Sequence, residues 1–186
     1  MSALSKAYAK IVAKLYYRRR FREFGEGSFL ISPIHILNPK YVSIGRNVRV
    51  RHHLRLEAID TLRRPDLRVG DNCNIEQGVH IICSSRIVIG KDCSITARCA
   101  IVDTYHPFTG IGSAKIGEQL NGEAAFVEIG DNCFLGVGSV IQPNVRLGRH
   151  CVVGANAVVV AGSYPDGSVL AGVPARVLRV IDPKNY

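Results

Sequence analysis

Histidine and cysteine supply the side chains of this chain that are best suited to catalysis, with six residues of each type. An imidazole exchanges protons near neutral pH, and a thiol can act as a nucleophile or a metal ligand. The cysteines form no CxxC pair, and no two histidines are separated by four residues, so the spacing is not that of a zinc site. His106, in the segment VDTYHPF, directly precedes the longest interruption of a regular pattern. It is our candidate for proton transfer.

The pattern is a six-residue repeat that runs without a break through the C-terminal part of the chain. Each of its hexads has an aliphatic residue at position one, and they start at Ile129, Leu135, Ile141, Leu147, Val153 and Val159. A period of six fits neither a strand nor a helix, and it predicts a parallel β-solenoid.

Five of the six cysteines follow the same repeat. They share position five with compact residues such as Ala157 and Ser163, and all of these are expected to face inward: Cys73, Cys93, Cys99, Cys133 and Cys151. We therefore interpret the cysteines as small buried hydrophobic residues and not as ligands or nucleophiles.

The repeat also extends upstream. Three earlier sets of three hexads start at Ile44, Val50 and Leu56, at Val69, Ile75 and Ile81, and at Ile89, Ile95 and Ile101. Each set is expected to form one triangular coil, and insertions of 7, 2, 22 and 0 residues follow the third hexad of successive sets. All loops should therefore leave at one corner, which in repeat proteins commonly marks the binding edge. His106 closes the hexad before the 22-residue insertion.

A chain of 186 residues, 47% of them hydrophobic, is long enough for one folded domain. We predict an all-β-dominated solenoid at residues 25–165 with an extruded loop at 104–126. A basic helix at 1–24 precedes it, and a closing segment at 166–186, a short helix or strand, follows. The helix is expected to cap the first coil; the alternatives are a surface for an anionic membrane or lipid-linked substrate, or a subunit contact.

The net charge of +9 favours a polyanionic partner. Nucleic acid ranks lowest among such partners because no binding motif accompanies the charge. The N-terminal residues lack the apolar core of a signal peptide, and no segment approaches the roughly 20 apolar residues of a membrane span. We therefore expect a cytoplasmic protein, with peripheral contact at the inner face of the membrane as the alternative.

Several of these features together resemble one protein family. The hexads, the turn sequence IGDN, His106 with its long loop, and the tail AGVPARVLRV are similar to the hexapeptide-repeat acetyltransferases over about residues 20–182. The resemblance is strongest to the maltose, galactoside and Nod-factor type and to the O-acetyltransferases of surface polysaccharide clusters. It implies a left-handed parallel β-helix of about five triangular coils, acetyl-CoA as donor without a metal, and a sugar or saccharide hydroxyl as acceptor. It also implies a homotrimer with active sites between subunits.

The resemblance assigns roles to individual residues. His106 is expected to be the general base of a direct transfer, because no constellation of cysteine or serine indicates an acyl-enzyme. Glu76 and Ser84 align with an asparagine and an aspartate that bind the sugar in galactoside-type enzymes, which favours a different acceptor. With Asp103 and Tyr105 they are the predicted substrate-binding residues. The residues expected at coenzyme A, with the arginines at its phosphates, are Phe134, Gly136, Val137, Gly154, Ala155, Arg176 and Arg179.

Two other functions fit a solenoid of this kind. The first is a non-catalytic scaffold or saccharide-binding module, which a His106→Ala variant would distinguish from an enzyme. The second is a zinc enzyme resembling the gamma-type carbonic anhydrases, with His80 and His106 as ligands. That family uses two histidines separated by four residues and a third upstream, and this chain has no such pair.

Overall fold

The computed structural model describes residues 3–60, 62–109, 112, 115–120 and 123–185. Parts of the predicted terminal segments and of the predicted loop 104–126 lie outside the described residues: 1, 2, 110, 111, 113, 114, 121, 122 and 186. Most described strands are two to four residues long and belong to three sheets that the chain visits in turn. Glycine and short polar residues occupy the turns between them, several with positive φ angles.

The three sheets are the sides of a prism, and each coil adds one strand to each of them. The first sheet consists of Glu23–Phe24, Val42–Ile44, Asp66–Val69, Arg86–Ile89, Phe126–Ile129, Val145–Leu147 and Gly162–Tyr164. The second consists of Phe29–Leu30, Arg49–Val50, Asn74–Ile75, Ser94–Ile95, Phe134–Leu135, Val152–Val153, Ser168–Gly172 and Ala175–Val180. The third consists of His35–Leu37, Arg55–Ala58, His80–Cys83, Ala100–Val102, Val140–Ile141 and Val158–Val159. Neighbouring strands are parallel, except for the antiparallel last pair of the second sheet.

Aliphatic residues from position one of the hexads fill the prism. Leu135 and Ile141 are fully buried, and Ile129 is 3% exposed. Each lies in register with the equivalent residue of the next coil, as Leu135 does with Val153. Burial of one such side chain contributes about 1.5–3 kcal/mol, so these stacked columns are the main stabilising feature of the fold. The predicted parallel solenoid is confirmed.

All six cysteines are free and buried. Where the first sheet turns into the second, four of them stack in a column: Cys73, Cys93, Cys133 and Cys151. There the Cys73 Sγ donates to the carbonyl oxygen of Gly90 at 3.1 Å, and the Cys93 Sγ to that of Gly130 at 3.2 Å. The burial confirms that position five takes the cysteines as compact core residues.

The number of coils differs from the prediction. Among the described residues the third sheet has six strands, so they form six complete coils and a partial seventh instead of about five. The additional coil at residues 23–37 was not recognised from the sequence. Its inward residues Phe24, Leu30 and Ile36 keep the six-residue spacing, but Phe24 is aromatic and Ile34, at position five, is 67% exposed.

The last hexad also departs from the prediction. Ser163 was expected to face inward at position five, but it is exposed. Gly162 lies opposite the buried Val145 of the preceding coil, and Tyr164 lies opposite Leu147, so the register has moved by one residue. A strand that shifts by one residue exchanges its inner and outer faces, which explains the exposure of Ser163.

The corner at which the third sheet passes into the first is here named the loop corner. Residues 59–65, 84–85 and 103–125 connect strands across it, and they contain the three predicted insertions. The Arg63 Nη1 donates to the carbonyl oxygen of Glu123 at 2.9 Å, so the first of these loops contacts the longest one. The insertions therefore leave the prism at one corner, as the spacing predicts.

Helical segments and a hairpin lie at the two ends of the prism. Residues 3–20 form an α-helix at Ala3–Val12, a π-helix at Ala13–Tyr17 and a further α-helical turn at Arg18–Arg20. At the other end, Ala175–Val180 folds back on Ser168–Gly172 as a strand. Short 3-10 helices are found at Pro39–Tyr41, Ile116–Glu118 and Pro183–Asn185. None of the helices formed by described residues is long and apolar enough to cross a membrane.

Candidate functional site

His106 lies in the long loop at the loop corner, four residues beyond the strand Ala100–Val102. Its side chain is exposed, and its Nδ1 lies 2.7 Å from the carbonyl oxygen of Gln119, on the other side of the loop. A carbonyl oxygen can only accept a hydrogen bond, so in neutral His106 the Nδ1 carries the proton and donates it. The Nε2 then keeps its lone pair and can accept a proton from another molecule. The geometry fits a general base.

Sequence reasoning missed Gln119 as the partner of His106. The contact uses a main-chain carbonyl, which every residue carries, and it joins positions 13 residues apart. Side-chain type and spacing therefore contain no signal for this contact. Only the path of the loop brings the two groups together.

Asp103 has a structural role at the loop corner. Its side chain is fully buried, and its carboxylate accepts the backbone N–H groups of Ser84, Ser85 and Arg86 at 2.6, 2.8 and 2.7 Å. Burial raises the pKa of Asp103, although these N–H groups lower it in part. The carboxylate oxygen atoms thus hold the two-residue turn 84–85, and substrate binding by Asp103 stays a prediction. Asp103 thereby anchors the start of the loop that carries His106.

The other predicted substrate-binding residues are divided between two corners. Ser84 is only 1% exposed and donates its backbone N–H to Asp103, and its predicted contact with substrate stays a prediction. Tyr105 lies beside His106 and is 53% exposed. Glu76 follows the second-sheet strand Asn74–Ile75, away from the loop corner, and pairs with Arg51 at 3.5 Å. Substrate binding by Tyr105 and Glu76 stays a prediction.

Five of the residues predicted at coenzyme A lie together where the second sheet passes into the third, here named the coenzyme corner. Gly136 and Gly154 stack in successive coils, and a Cβ on Gly136 would lie 2.6 Å from the backbone nitrogen of Ala155. Glycine is therefore required there by the close approach of two chain segments. Phe134 and Val137 are 45% and 38% exposed, and Ala155 is also exposed. Apolar side chains therefore form part of the exposed surface at this corner.

Arg176 and Arg179 lie in the last strand of the second sheet and are exposed. Arg176 lies opposite Ala171, and Arg179 lies opposite Val169. The Arg176 Nη1 donates to the carbonyl oxygen of Ala175 at 3.1 Å, which leaves the other guanidinium N–H groups available. Their predicted contact with phosphate stays a prediction.

The coenzyme corner precedes each strand of the third sheet and the loop corner follows it, so the two corners lie at opposite ends of these strands. His106 and Tyr105 are at the loop corner, whereas Gly136, Gly154 and Glu76 are at the coenzyme corner. One chain therefore does not bring the candidate base to the predicted coenzyme residues. Between the two corners, the outer side of the third sheet has polar residues in its earlier coils, such as Arg55 and His80. In its later coils it has a half-buried set here named the aliphatic face, comprising Ile82, Ala100, Val102, Val140, Val158 and Val160.

The alternative metal site involves His80, which lies in the third-sheet strand His80–Cys83 and pairs with Arg55 in the preceding coil. Burial, followed by the charge of Arg55, lowers the pKa of His80. Among the residues that the structure describes, no group of three or more His, Cys, Asp or Glu is placed to hold a metal ion.

Comparisons with known proteins identify the repeat. Residues 126–161 match the family model "Bacterial transferase hexapeptide (six repeats)". The chain is 31% identical over 157 residues to a putative lipopolysaccharide biosynthesis O-acetyl transferase of Escherichia coli K12, which covers 79% of this chain and 76% of that protein. It is 32% identical over 133 residues to the galactoside O-acetyltransferase of the same strain, covering 63% of this chain and 65% of the enzyme.

Solved structures show the same fold. The N-acyltransferase AntD from Bacillus cereus, in complex with dTDP and 3-hydroxybutyryl-CoA, superposes with a TM-score of 0.71 at 23% identity, over 90% of this chain and 87% of that chain. A galactoside acetyltransferase in complex with coenzyme A superposes with a TM-score of 0.58 at 19% identity, over 98% and 82%. The predicted left-handed parallel β-helix is thus confirmed. On its repeat, its fold and its similarity to the Escherichia coli O-acetyl transferase, this chain belongs to the hexapeptide-repeat acetyltransferases.

Proposed function

We propose that this protein transfers the acetyl group of acetyl-CoA to a hydroxyl group of a sugar or saccharide, in the biosynthesis of a surface polysaccharide. The observation that carries the proposal is the hydrogen bond between His106 Nδ1 and the Gln119 carbonyl, which leaves Nε2 free to act as a base. The names of the two Escherichia coli relatives, for lipopolysaccharide biosynthesis and for galactoside, support a saccharide acceptor.

The proposed reaction is a direct transfer. His106 Nε2 accepts the proton of the acceptor hydroxyl while that oxygen forms its bond to the acetyl carbon. The same nitrogen then returns the proton to the sulfur of coenzyme A as the carbon–sulfur bond breaks. The Gln119 carbonyl stabilises the imidazolium between the two steps, because it accepts the Nδ1 proton throughout. The buried thiols are not placed to form an acyl-enzyme.

The active site of the proposed enzyme lies between subunits of a homotrimer. The opposite positions of the loop corner and the coenzyme corner support this, because a site complete in one chain would require them to meet. The aliphatic face between them supplies an apolar surface for association. In this arrangement His106 of one subunit faces the coenzyme corner of its neighbour, which binds the pantetheine arm along Phe134, Val137 and Ala155.

The donor phosphates are assigned to Arg176 and Arg179. Guanidinium groups match phosphate oxygens in geometry and charge, and both side chains are exposed at the end of the second sheet. The two structural neighbours named above were solved with a coenzyme A compound bound, which supports acetyl-CoA as donor. An Arg176→Gln variant is expected to raise the KM for acetyl-CoA and to leave kcat nearly unchanged.

The proposal is tested by incubating the enzyme with acetyl-CoA and separate candidate acceptors, followed by mass spectrometry. The acceptors are free sugars, nucleotide sugars, amino sugars and lipid-linked oligosaccharides. We expect one acetyl group to be added to a hydroxyl of one acceptor class. Addition to an amino group alone would contradict O-acetylation while leaving acetyl transfer intact.

The role of His106 is tested in the same assay. Loss of a general base lowers kcat by roughly 100-fold to 10,000-fold, so His106→Ala should show a decrease in this range. His52→Ala, which removes an exposed histidine outside the site, is the matched control and should be close to the wild type. Equal rates in the two variants would contradict the assignment. A stoichiometric acetyl adduct on the protein after mixing with acetyl-CoA alone would contradict direct transfer.

A further inference from the structure

The N-terminal helix has three different stripes along its length. Ala9, Ala13 and Tyr17, spaced by four residues, are buried, and the helix packs beside the first-coil strand Phe29–Leu30. A second stripe consists of exposed apolar residues, and a third consists of exposed cations. A helix that only covered the end of the prism would need the buried stripe alone.

The exposed apolar stripe consists of Tyr8, Ile11 and Leu15, which are 71%, 56% and 60% exposed. Their spacing of three and four residues places them on one side of the helix, and Tyr16 beside them is 50% exposed. This is a concentration of large apolar side chains that the prism does not cover. Tyrosine is common where a protein surface meets the boundary between lipid and water, because its ring is apolar and its hydroxyl is polar.

The cationic stripe consists of Lys10, Lys14 and Arg18, spaced by four residues and all exposed. Arg19 and Arg20 follow directly and are exposed as well. Residues 3–20 contain no aspartate or glutamate, although the whole chain has 15 acidic residues. The helix therefore presents an uninterrupted positive charge beside its apolar stripe.

From these stripes we propose that the N-terminal helix docks on an anionic phospholipid surface. The apolar stripe enters the boundary between headgroups and acyl chains, and the cations on its flank contact the lipid phosphates. A second copy of this chain would carry the same unbalanced positive charge on the same helix, so two such helices would repel each other. An anionic membrane matches both stripes at once. The proposal does not depend on the acceptor or on the transfer reaction.

The experiment measures binding of the full chain to vesicles by cosedimentation. One set of vesicles contains phosphatidylcholine alone, and the other contains equal parts of phosphatidylcholine and phosphatidylglycerol. We expect binding to the second set only, weakening as salt is added, because salt screens the charges. The triple variant Lys10→Gln, Lys14→Gln, Arg18→Gln should bind the anionic vesicles about a hundredfold more weakly, because each lost charge weakens binding about fivefold.

Two further variants test whether vesicle binding depends on the stripes themselves, and not on the net charge of the protein or on its self-association. Lys91→Gln, Arg149→Gln, Lys184→Gln removes the same number of charges outside the helix and should bind like the wild type. Tyr8→Gln, Ile11→Gln, Leu15→Gln should lose vesicle binding while keeping its oligomeric state in light scattering and its rate on a water-soluble acceptor. Equal binding of the wild type to both vesicle sets would overturn the proposal. So would a change of oligomeric state in the apolar-stripe variant without any loss of vesicle binding.

Discussion

The first sheet and the later coils of the third sheet have similar inner faces and very different outer faces. Both direct fully buried aliphatic residues into the prism, such as Val127 in the first sheet and Ile141 in the third. On the outer side of the first sheet, Glu128 forms salt bridges with Arg86 and with Arg146, the second at 2.6 Å. In the later coils of the third sheet, the corresponding outer residues are those of the aliphatic face, whereas an earlier coil has the salt bridge between Arg55 and Glu57.

The hydrophobic core requires apolar residues on the inner face of both sheets. The residue types on an outer face therefore indicate whether that face contacts water or another molecule. Charged pairs on the first sheet are suited to water. Contiguous aliphatic residues on an exposed sheet are typical of a surface that another molecule covers. The proposed trimer would cover this face and bring the two separated corners together.

The largest effect is expected from a charge on the aliphatic face. Val140→Glu should dissociate the proposed trimer and lower transfer at least about a hundredfold, because a buried unpaired charge costs about 3–5 kcal/mol. The matched control is Val88→Glu on the outer side of the first sheet, between Arg68 and Glu128, which should remain assembled and active. Sedimentation velocity and the transfer assay measure both outcomes. A Val140→Glu variant that stays assembled and active would contradict the proposal that the aliphatic face is a subunit interface.

The next effect is recovery of activity in mixed assemblies. His106→Ala removes the base, and Ala155→Trp fills the coenzyme corner, so each variant alone should be inactive. If one site takes His106 from one subunit and Ala155 from another, random mixed trimers should regain about a quarter of the wild-type activity. Coexpression with two different affinity tags, followed by the transfer assay, measures this recovery. Mixed trimers without activity would place each site within a single chain.

A smaller effect is expected at the loop corner, where the two contrasting sheets join. Asp103→Ala leaves the buried N–H group of Ser84 and the partly buried N–H groups of Ser85 and Arg86 without an acceptor, and should lower the free energy of unfolding by about 3 kcal/mol. Urea denaturation measures the change. Asp71→Ala is the matched control: it removes an acceptor from Arg46 at an exposed turn and should have a smaller effect, because water replaces the lost bond. Equal losses in both variants would contradict the buried role of Asp103.

The smallest effect is expected on the charged face of the first sheet. Glu128→Gln should lower stability by no more than about 1 kcal/mol, because exposed salt bridges contribute little. The hydrogen bond from Arg146, and then that from Arg86, holds the pKa of Glu128 below its usual value. This stabilisation is therefore present above the usual glutamate pKa and is lost as pH falls through the lowered pKa. Thermal denaturation at several pH values should show the two proteins converging in acid, and a divergence would contradict this assignment.

The parts of the fold that repeat were predictable from the sequence. Position-one residues such as Leu135 had to face inward, because a six-residue period places them on the same side in every coil. The coil at residues 23–37 was missed because Phe24 and the exposed Ile34 do not match the pattern, although the backbone there pairs in the same register. The prediction for Ser163 was wrong because the last coil is one residue shorter before Gly162 than the regular repeat. The residue types there give no sign of this shortening.

In the candidate site, the sequence by itself determined the corner that carries His106 and its loop, because insertions are tolerated only where they do not interrupt the stacked coils. The tertiary structure alone decided what surrounds that histidine. The Gln119 carbonyl reaches Nδ1, and Asp103 turns inward to meet three N–H groups of the preceding coil. Such bonds depend on backbone groups that all residues share. Their positions follow from the path of the folded chain and cannot be read from the order of its side chains.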